Sequence, residues 1–413
     1  MDGEESMNCR NLWFQGSLLL IAITVLLAPG ALAQSKYKTL YKFTGGADGR
    51  WPAAGLIRDQ AGNLYGTTLG GGAHSQGTAF ELTPNSDGSW AESVLYSFCS
   101  PPTCDDGAGP EAGLTFYAGG NLYGTTIAGG YCGLGTVYQL TPSNGGWAES
   151  VLYSYCGSDG SGPYAGVTFD SGGNLYGTTL HTVYELTPSN GGWTESVLHT
   201  FCSLPHCNDG DDAKSGLIFD PRGNLYGTTF IGGKDNAGVV FKLAPSGSTW
   251  TFSVLYTFTG GRDGRGPYVG SLIMDAMGNL YGTTTTGGIH NHGTVFKLSQ
   301  SAGKWEETVL HSFANRDGSF PMGSLIFDLS GNLYGMTMTG GDLSRCAGKG
   351  CGVVFKLMPN SKGGWTETVL HRFLDGPGAF PLYGLIFDPA GNLYGTTQGD
   401  ETKTFGSVFE ITP

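Results

Sequence analysis

Eight cysteines beyond residue 33 offer the most specific chemistry in this sequence: Cys99, Cys104, Cys132, Cys156, Cys202, Cys207, Cys346 and Cys351. Six of them form three Cys-x4-Cys units. An even count in an exported chain points to disulfides, whereas zinc sites favour Cys-x2-Cys with a second pair nearby. Locality pairs Cys99 with Cys104, Cys202 with Cys207, Cys346 with Cys351 and Cys132 with Cys156. A second set is acidic. Asp-Gly recurs at Asp48, Asp106, Asp159, Asp209, Asp263, Asp317 and Asp375. A carboxylate ring suits calcium, but Asp-Gly also makes turns in which Asp bonds its own backbone and Gly takes positive φ. The turn reading is preferred. Asp209, Asp211 and Asp212, with Asp105 beside Asp106, keep a calcium site open, and no other cofactor is expected.

A third set is aromatic. Trp51-Pro52, Phe320-Pro321 and Phe380-Pro381 place bulky rings beside proline, with Arg50 and Arg316 close by. Tyr164, Tyr268 and Tyr383 follow the same prolines in other copies of that loop. Exposed rings with neighbouring donors suit sugars, which stack on π surfaces and hydrogen-bond at their edges. The competing expectation is that these rings plug a channel mouth. On the binding reading, Trp51→Ala weakens ligand without unfolding the chain. Catalytic patterns are missing: there is no Gly-x-Ser-x-Gly elbow, no His-Glu-x-x-His and no phosphate loop. His290 and His292 share a loop without a third ligand. No catalytic residue is assigned, although glycosidase-type carboxylate pairs are brought together only by folding.

The elements that must hold these residues are legible in the composition. Glycine supplies 72 of 413 residues, far above the average of about 7%. Aromatics reach 12% and charged residues only 13%, so the chain is neither disordered nor helical but made of short strands joined by tight turns. Gly-Asn-Leu-Tyr-Gly recurs seven times, with its asparagine at Asn63, Asn121, Asn174, Asn224, Asn279, Asn332 and Asn392. Each unit of about 50–60 residues reads as four strands, which is the pattern of a propeller blade. In one unit these are Gly270 to Asp275, Asn279 to Thr284, Thr294 to Leu298 and Glu307 to Phe313. Tyr37 to Phe43 matches a fourth strand, and the last unit stops after its third, Val408 to Ile411. Pairing these two segments closes a ring and removes two exposed strand edges. The fold expected is all-β: one seven-bladed propeller over residues 34–413. In such a meander the loops after the second and fourth strands share a face, so all eight cysteines fall on one side.

Residues 1–33 read as a signal peptide, with an apolar run from Ser17 to Ala28 and cleavage after Ala33. Twelve residues span only about 18 Å as a helix, too short for a membrane core of about 30 Å. Met7 as the start would leave Arg10 as the leader's only charged side chain. The expected location is secreted or periplasmic, with no C-terminal anchor before Pro413. From Asp59 to Ala213 there are fifteen acidic residues and no Lys or Arg, while the rest of the mature chain has twenty basic and sixteen acidic residues. No nucleic-acid partner is expected, and the chain is expected to be monomeric.

The recurring Gly-Leu-Ile-x-Asp, Gly-Asn-Leu-Tyr-Gly-Thr-Thr, Gly-Thr-Val-Phe-Lys-Leu and Val-Leu-Tyr-x-Phe segments resemble the GloVer tandem-repeat family of exported bacterial proteins across residues 37–413. More distantly they are similar to NHL and gluconolactonase-like propellers. The resemblance implies a propeller and export, without an activity. Two functions follow as expectations. The first is a non-enzymatic binding or scaffold protein taking an extracellular glycan or protein ligand over blades six, seven and one. The alternative is a carbohydrate-active or lactone-hydrolysing enzyme at the channel mouth.

Overall fold

The polar residues of the repeat build a turn before they build a sheet. In the computed structural model, which describes residues 35–400 and 404–413, Asp275 accepts hydrogen bonds from the Met277 and Asn279 backbone N–H groups, from Asn279 Nδ2 at 2.7 Å and from the Tyr281 hydroxyl at 2.9 Å. One carboxylate thus closes the turn between the first two strands, where Gly278 takes a φ of 82° that favours glycine. Asp59, Asp170, Asp220, Asp328 and Asp388 do the same in their blades. Blade two departs, because Tyr117 stands in place of Asp and stacks on Phe169 at 4.0 Å. The second glycine of the motif has a separate cause. The third-strand ring packs on its Cα, and a Cβ on Gly282 would lie 2.7 Å from Phe296 Cζ.

The outer strands of this blade, Leu280–Thr284, Thr294–Ser301 and Lys304–Ser312, are antiparallel with a bulge at Val295/Phe296. The first strand is only Ile273–Met274, shorter than the pattern implies. Its upstream half turns toward the next blade, with Gly270 N–H donating to Met322 O at 2.8 Å and Ser271 N–H to Ser324 Oγ at 2.9 Å. Seven such sheets form a seven-bladed propeller, and blade one carries an added strand, Arg50–Pro52, paired with Leu64–Gly70. Among the described residues the helical segments are two short 3-10 turns, Pro205–Cys207 and Cys346–Gly348. Lys36–Lys42 pairs with Ser407–Thr412, with Tyr37 opposite Ile411 and Tyr41 opposite Val408. The first strand of the chain therefore completes the last blade.

The core lies between blades. One cluster joins Tyr226, Val240 and Phe258 of blade four to Leu272, Leu280 and Phe296 of blade five, and the others repeat the scheme. Each blade's apolar face is covered only by its neighbour, so the ring is one cooperative unit. Blades two and three carry Tyr138 and Tyr184 where the other blades carry Phe80, Phe241, Phe296, Phe355 and Phe409. Tyr138 is wholly buried and its hydroxyl has no hydrogen-bond partner. A buried unsatisfied hydroxyl costs about 1–3 kcal/mol. Tyr138→Phe should therefore raise stability by about 1 kcal/mol, read as a higher midpoint in urea with an unchanged slope; a lower midpoint would show that the hydroxyl is solvated.

Four disulfides join Cys99 to Cys104, Cys132 to Cys156, Cys202 to Cys207 and Cys346 to Cys351. The two loop sets that carry them share a face, since backbone bridges link Ala108 to Ala128, Asp211 to Ile231, Arg265 to Thr286 and Ser319 to Thr339. Disulfides of this density fit an oxidising, extracellular setting. No described helix is long and apolar enough to cross a membrane. The expected signal peptide, residues 1–33, lies outside the described residues.

Candidate functional site

The loop entering each blade ends on a residue that precedes the strand-one proline or its equivalent, and that residue takes left-handed backbone in all seven blades. Blades two, three and five use Gly109, Gly162 and Gly266, with φ of 65°, 56° and 65°. Blade four uses Asp212, at 58°. Blades one, six and seven instead hold Trp51, Phe320 and Phe380, at 57°, 56° and 59°. Left-handed backbone costs a residue with a Cβ roughly 1–2 kcal/mol, so blades one, six and seven, like blade four with Asp212, carry strain that glycine removes in blades two, three and five.

The expected ligand residues do not all meet. Phe320 is 40% exposed and lines a cavity of about 450 Å³ with His292, Ser319, Met338 and Lys349. Phe380 lines a second, of about 340 Å³, with Ala347, Asp375, Asp400 and again Lys349. Lys349, which the sequence pattern did not single out, thus borders both rings. Arg316 lies in a third cavity with Asp342 and Ser344. Trp51 is half-buried, with the Arg50 guanidinium 4.4 Å from its ring centroid, so one of its π faces is covered.

Tyr383 is elsewhere again. It lies in the central channel, a cavity of about 410 Å³ lined by the first strands, and its hydroxyl donates to Glu111 Oε1 at 3.1 Å. Blade one, which lies between them, carries the small buried Ala53 and Ala54 after its proline. Lys214 stands in blade four, with its ammonium 5.0 Å from the Tyr164 centroid, 5.1 Å from Tyr268 and 5.6 Å from Phe230. Asp212 pairs with it at 3.1 Å. Burial pushes the Glu111 carboxyl up, against the opposing pull of the Tyr383 hydrogen bond and Lys214. Burial and then Glu111 push the Tyr383 phenol well up. Glu111 and Lys214 were overlooked because neither belongs to a motif. Superposing the residue that follows each proline would have found them, because the seven copies read Ala53, Glu111, Tyr164, Lys214, Tyr268, Met322 and Leu382.

The acidic candidates for a cation are turned to protein partners. Asp209 is buried and accepts from the Ser203 hydroxyl at 2.7 Å and from the Ser203 and Leu204 N–H groups. Asp211 meets His181 Nδ1 at 2.8 Å, and Asp212 meets Lys214. The Asp-Gly carboxylates cap their own loops, as Asp48 does with the Thr44 N–H and Asp263 with that of Thr259, both at 2.7 Å. Asp375 differs, accepting from the Cys346 N–H.

Sheet order, ring closure and a loop-bearing face pierced by a channel define a seven-bladed β-propeller. Within that class the chain belongs to the Gloeobacter/Verrucomicrobia repeat family, which matches residues 29–182, 180–347 and 308–413. No curated protein matches the chain. Among solved structures it is similar to a candidate 6-phosphogluconolactonase from Bacteroides uniformis, at 13% identity and a TM-score of 0.51, covering 85% of this chain and 98% of that one. It is also similar to the extracellular domain of a candidate one-component system from B. thetaiotaomicron, at 12% identity and a TM-score of 0.51, covering 90% of this chain and 39% of that one. At such identities the likeness concerns the fold alone.

Proposed function

We propose that this protein is an exported, non-enzymatic propeller that binds an extracellular glycan on its disulfide-bearing face, at the rings of Phe320 and Phe380 with Lys349 between them. The observation that carries this reading is the placement of aromatics at left-handed positions where three of the four sister blades use glycine. Strain of this kind collects at functional sites, and a half-exposed Phe320 contributes little packing to offset it. Flat apolar rings beside an exposed ammonium suit the hydrophobic face and hydroxyl edge of a sugar. Trp51, under Arg50, extends the aromatic series into the neighbouring blade.

Phe320→Gly tests this directly, because it restores the residue that the fold uses elsewhere. The variant should keep or slightly raise the melting temperature while its glycan-array signal falls about tenfold, a loss of about 1.4 kcal/mol. A hydrolase and lyase panel run on the same preparation separates the enzymatic alternative. Turnover that persists through repurification and disappears in Glu111→Gln would replace binding by catalysis at the channel. Array binding unchanged by Phe320→Gly would remove the aromatic shelf as the site.

A further inference from the structure

Of the aromatic shelf positions, one is left uncovered. Trp51 lies under the Arg50 guanidinium, and Phe380 packs on the cluster that contains Cys351 and Phe373. Phe320 is 40% exposed, on a backbone pinned from both sides. Its N–H donates to His292 O at 3.1 Å and its carbonyl accepts from the Met338 N–H at 3.0 Å. The cavity of about 450 Å³ that it lines therefore sits at the junction of blades five and six.

Charge sets this cavity apart from its neighbours. Asp375 and Asp400 border the cavity at Phe380, and Asp342 borders the one at Arg316. Among the described residues that line the Phe320 cavity there is no Asp or Glu. Lys349 enters none of the described ion pairs, and the acids of the adjoining loops are engaged elsewhere: Arg345 pairs with Asp342 and Asp375, and Asp375 also accepts from the Cys346 N–H. The Lys349 backbone is itself held, its N–H donating to Cys346 O at 3.2 Å and its carbonyl accepting from the Gly340 N–H at 2.9 Å. The Cys346–Cys351 disulfide closes that loop. On the opposite wall His292 Nδ1 meets Ser319 Oγ at 2.9 Å. Among the described hydrogen bonds neither His292 Nε2 nor the Asn315 side-chain amide has a partner.

We infer that this cavity selects an acidic sugar, a uronic acid unit, with the Phe320 ring against the sugar face and the Lys349 ammonium paired to its carboxylate. The inference rests on the glycan reading and narrows it to one charge class. A carboxylate accepts stronger hydrogen bonds from an ammonium than a hydroxyl does, so a lysine without a protein counter-ion favours the acid over the neutral sugar. An amino sugar would meet like charge. The Asn315 amide and His292 Nε2 offer polar atoms for ring hydroxyls. The wider field agrees. The fifteen acidic residues from Asp59 to Ala213 belong to blades one to three, while the rest of the mature chain has twenty basic and sixteen acidic residues. An anion thus approaches blades five and six without the repulsion it would meet over the acidic sector.

Calorimetric titration of the full chain with trigalacturonate, its methyl ester and sodium acetate tests this. Trigalacturonate should bind saturably and about tenfold more tightly than the uncharged ester, with affinity falling as salt rises. Lys349→Gln should remove that preference while leaving ester binding unchanged, Lys349→Arg should keep it, and Phe320→Gly should weaken both sugars. Lys362→Gln, in a turn on the opposite face, should change neither. Equal binding of acid and ester, both weakened by Phe320→Gly, would overturn the charge selection and leave the glycan reading standing. Binding of neither sugar would overturn the inference alone if the glycan array still gave a Phe320-dependent signal, and both readings if it did not. Acetate binding as tight as that of trigalacturonate, or a preference that survives Lys349→Gln, would also overturn it.

Discussion

Deleting residues 35–43 should abolish the cooperative melt and turn the protein into soluble aggregate on size exclusion. The segment forms the outer strand of blade seven, pairing along Ser407–Thr412. Its Leu40 and Phe43 are buried in a cluster that reaches Leu56, Leu64 and Phe80 of blade one. Tyr37 stacks on His371 at 4.2 Å and lies edge-on to Phe373 of blade six. One strand therefore seals both neighbours of the closing blade. Losing a buried leucine costs about 2–5 kcal/mol and a buried phenylalanine about 3–5 kcal/mol, against a total stability of about 5–15 kcal/mol for a native domain. The deletion also bares the edge of Ser407–Thr412, a template for pairing with other chains. A synthetic peptide of residues 35–44 added in trans should partly restore the monomer. A deleted protein that still melts sharply as a monomer would mean that the ring is held by blade packing alone.

Stability should also fall as pH rises from 6.5 to 8.5. Between adjacent outer strands, Glu92, Glu149, Glu195, Glu307 and Glu367 each bury an Oε1 that has no hydrogen-bond partner. Burial, then the charge of Asp48, Asp106, Asp159 and Asp263 respectively, pushes Glu92 up to about 7, Glu149 to about 8, Glu195 to about 7 and Glu307 to about 7. Burial raises Glu367 to about 7, with His311 opposing and Asp317 reinforcing. A carboxyl whose pKa is raised by folding stabilises the fold fully below its unfolded value, near 4.3, and that contribution is lost as pH climbs through 7 to 8.

Two histidines run the other way. Burial lowers His199, against the pull of Asp209, and lowers His371 to about 4. These rings stack on Phe252 and Tyr37, at 3.7 and 4.2 Å, where the other blades present the glutamates. Their stabilising effect is present above about 6.5 and is lost as pH falls toward the folded value. Above pH 6.5 the five glutamates thus titrate without opposition. Each is half-buried, so solvent screening trims its share to roughly 0.5–1 kcal/mol, and five together reach a few kcal/mol. Below pH 4 a second decline is expected. There the caps Asp220, Asp275, Asp328 and Asp388, which their hydrogen bonds hold below the usual carboxylate range in spite of burial, take up protons. Melting curves from about pH 2.5 to 8.5 read both limbs. Glu149→Gln should raise the melting temperature at pH 8 and leave it unchanged at pH 5. A melting temperature that is flat or rising above pH 6.5 would show that these carboxyls are hydrated and ionised throughout.

Much of this was written along the chain. Asp275, Gly278, Asn279 and Tyr281 lie within seven residues, so one carboxylate can specify their turn locally in six of the blades, and seven copies of Gly-Asn-Leu-Tyr-Gly announce seven equivalent blades. The unmatched strand at Tyr37 and the truncated last unit made closure legible, and near neighbours such as Cys346 and Cys351 made their pairing legible. The site was less so. Phe320 and Phe380 stood out by type, yet their separate cavities, the lysine between them, and the arginine that covers Trp51 depend on loop packing between blades. Tyr383 meets Glu111 across 272 residues, and the two come together only because a closed ring sets blade seven and blade two on either side of small side chains in blade one. The glutamate ring has the same origin, since each carboxyl is raised first by burial between blades and then by an aspartate of the loop that joins its blade to the preceding one. Repeated local hydrogen bonds determine what one blade is; only the closed tertiary ring decides which residues of different blades share a channel, a charge and a dielectric.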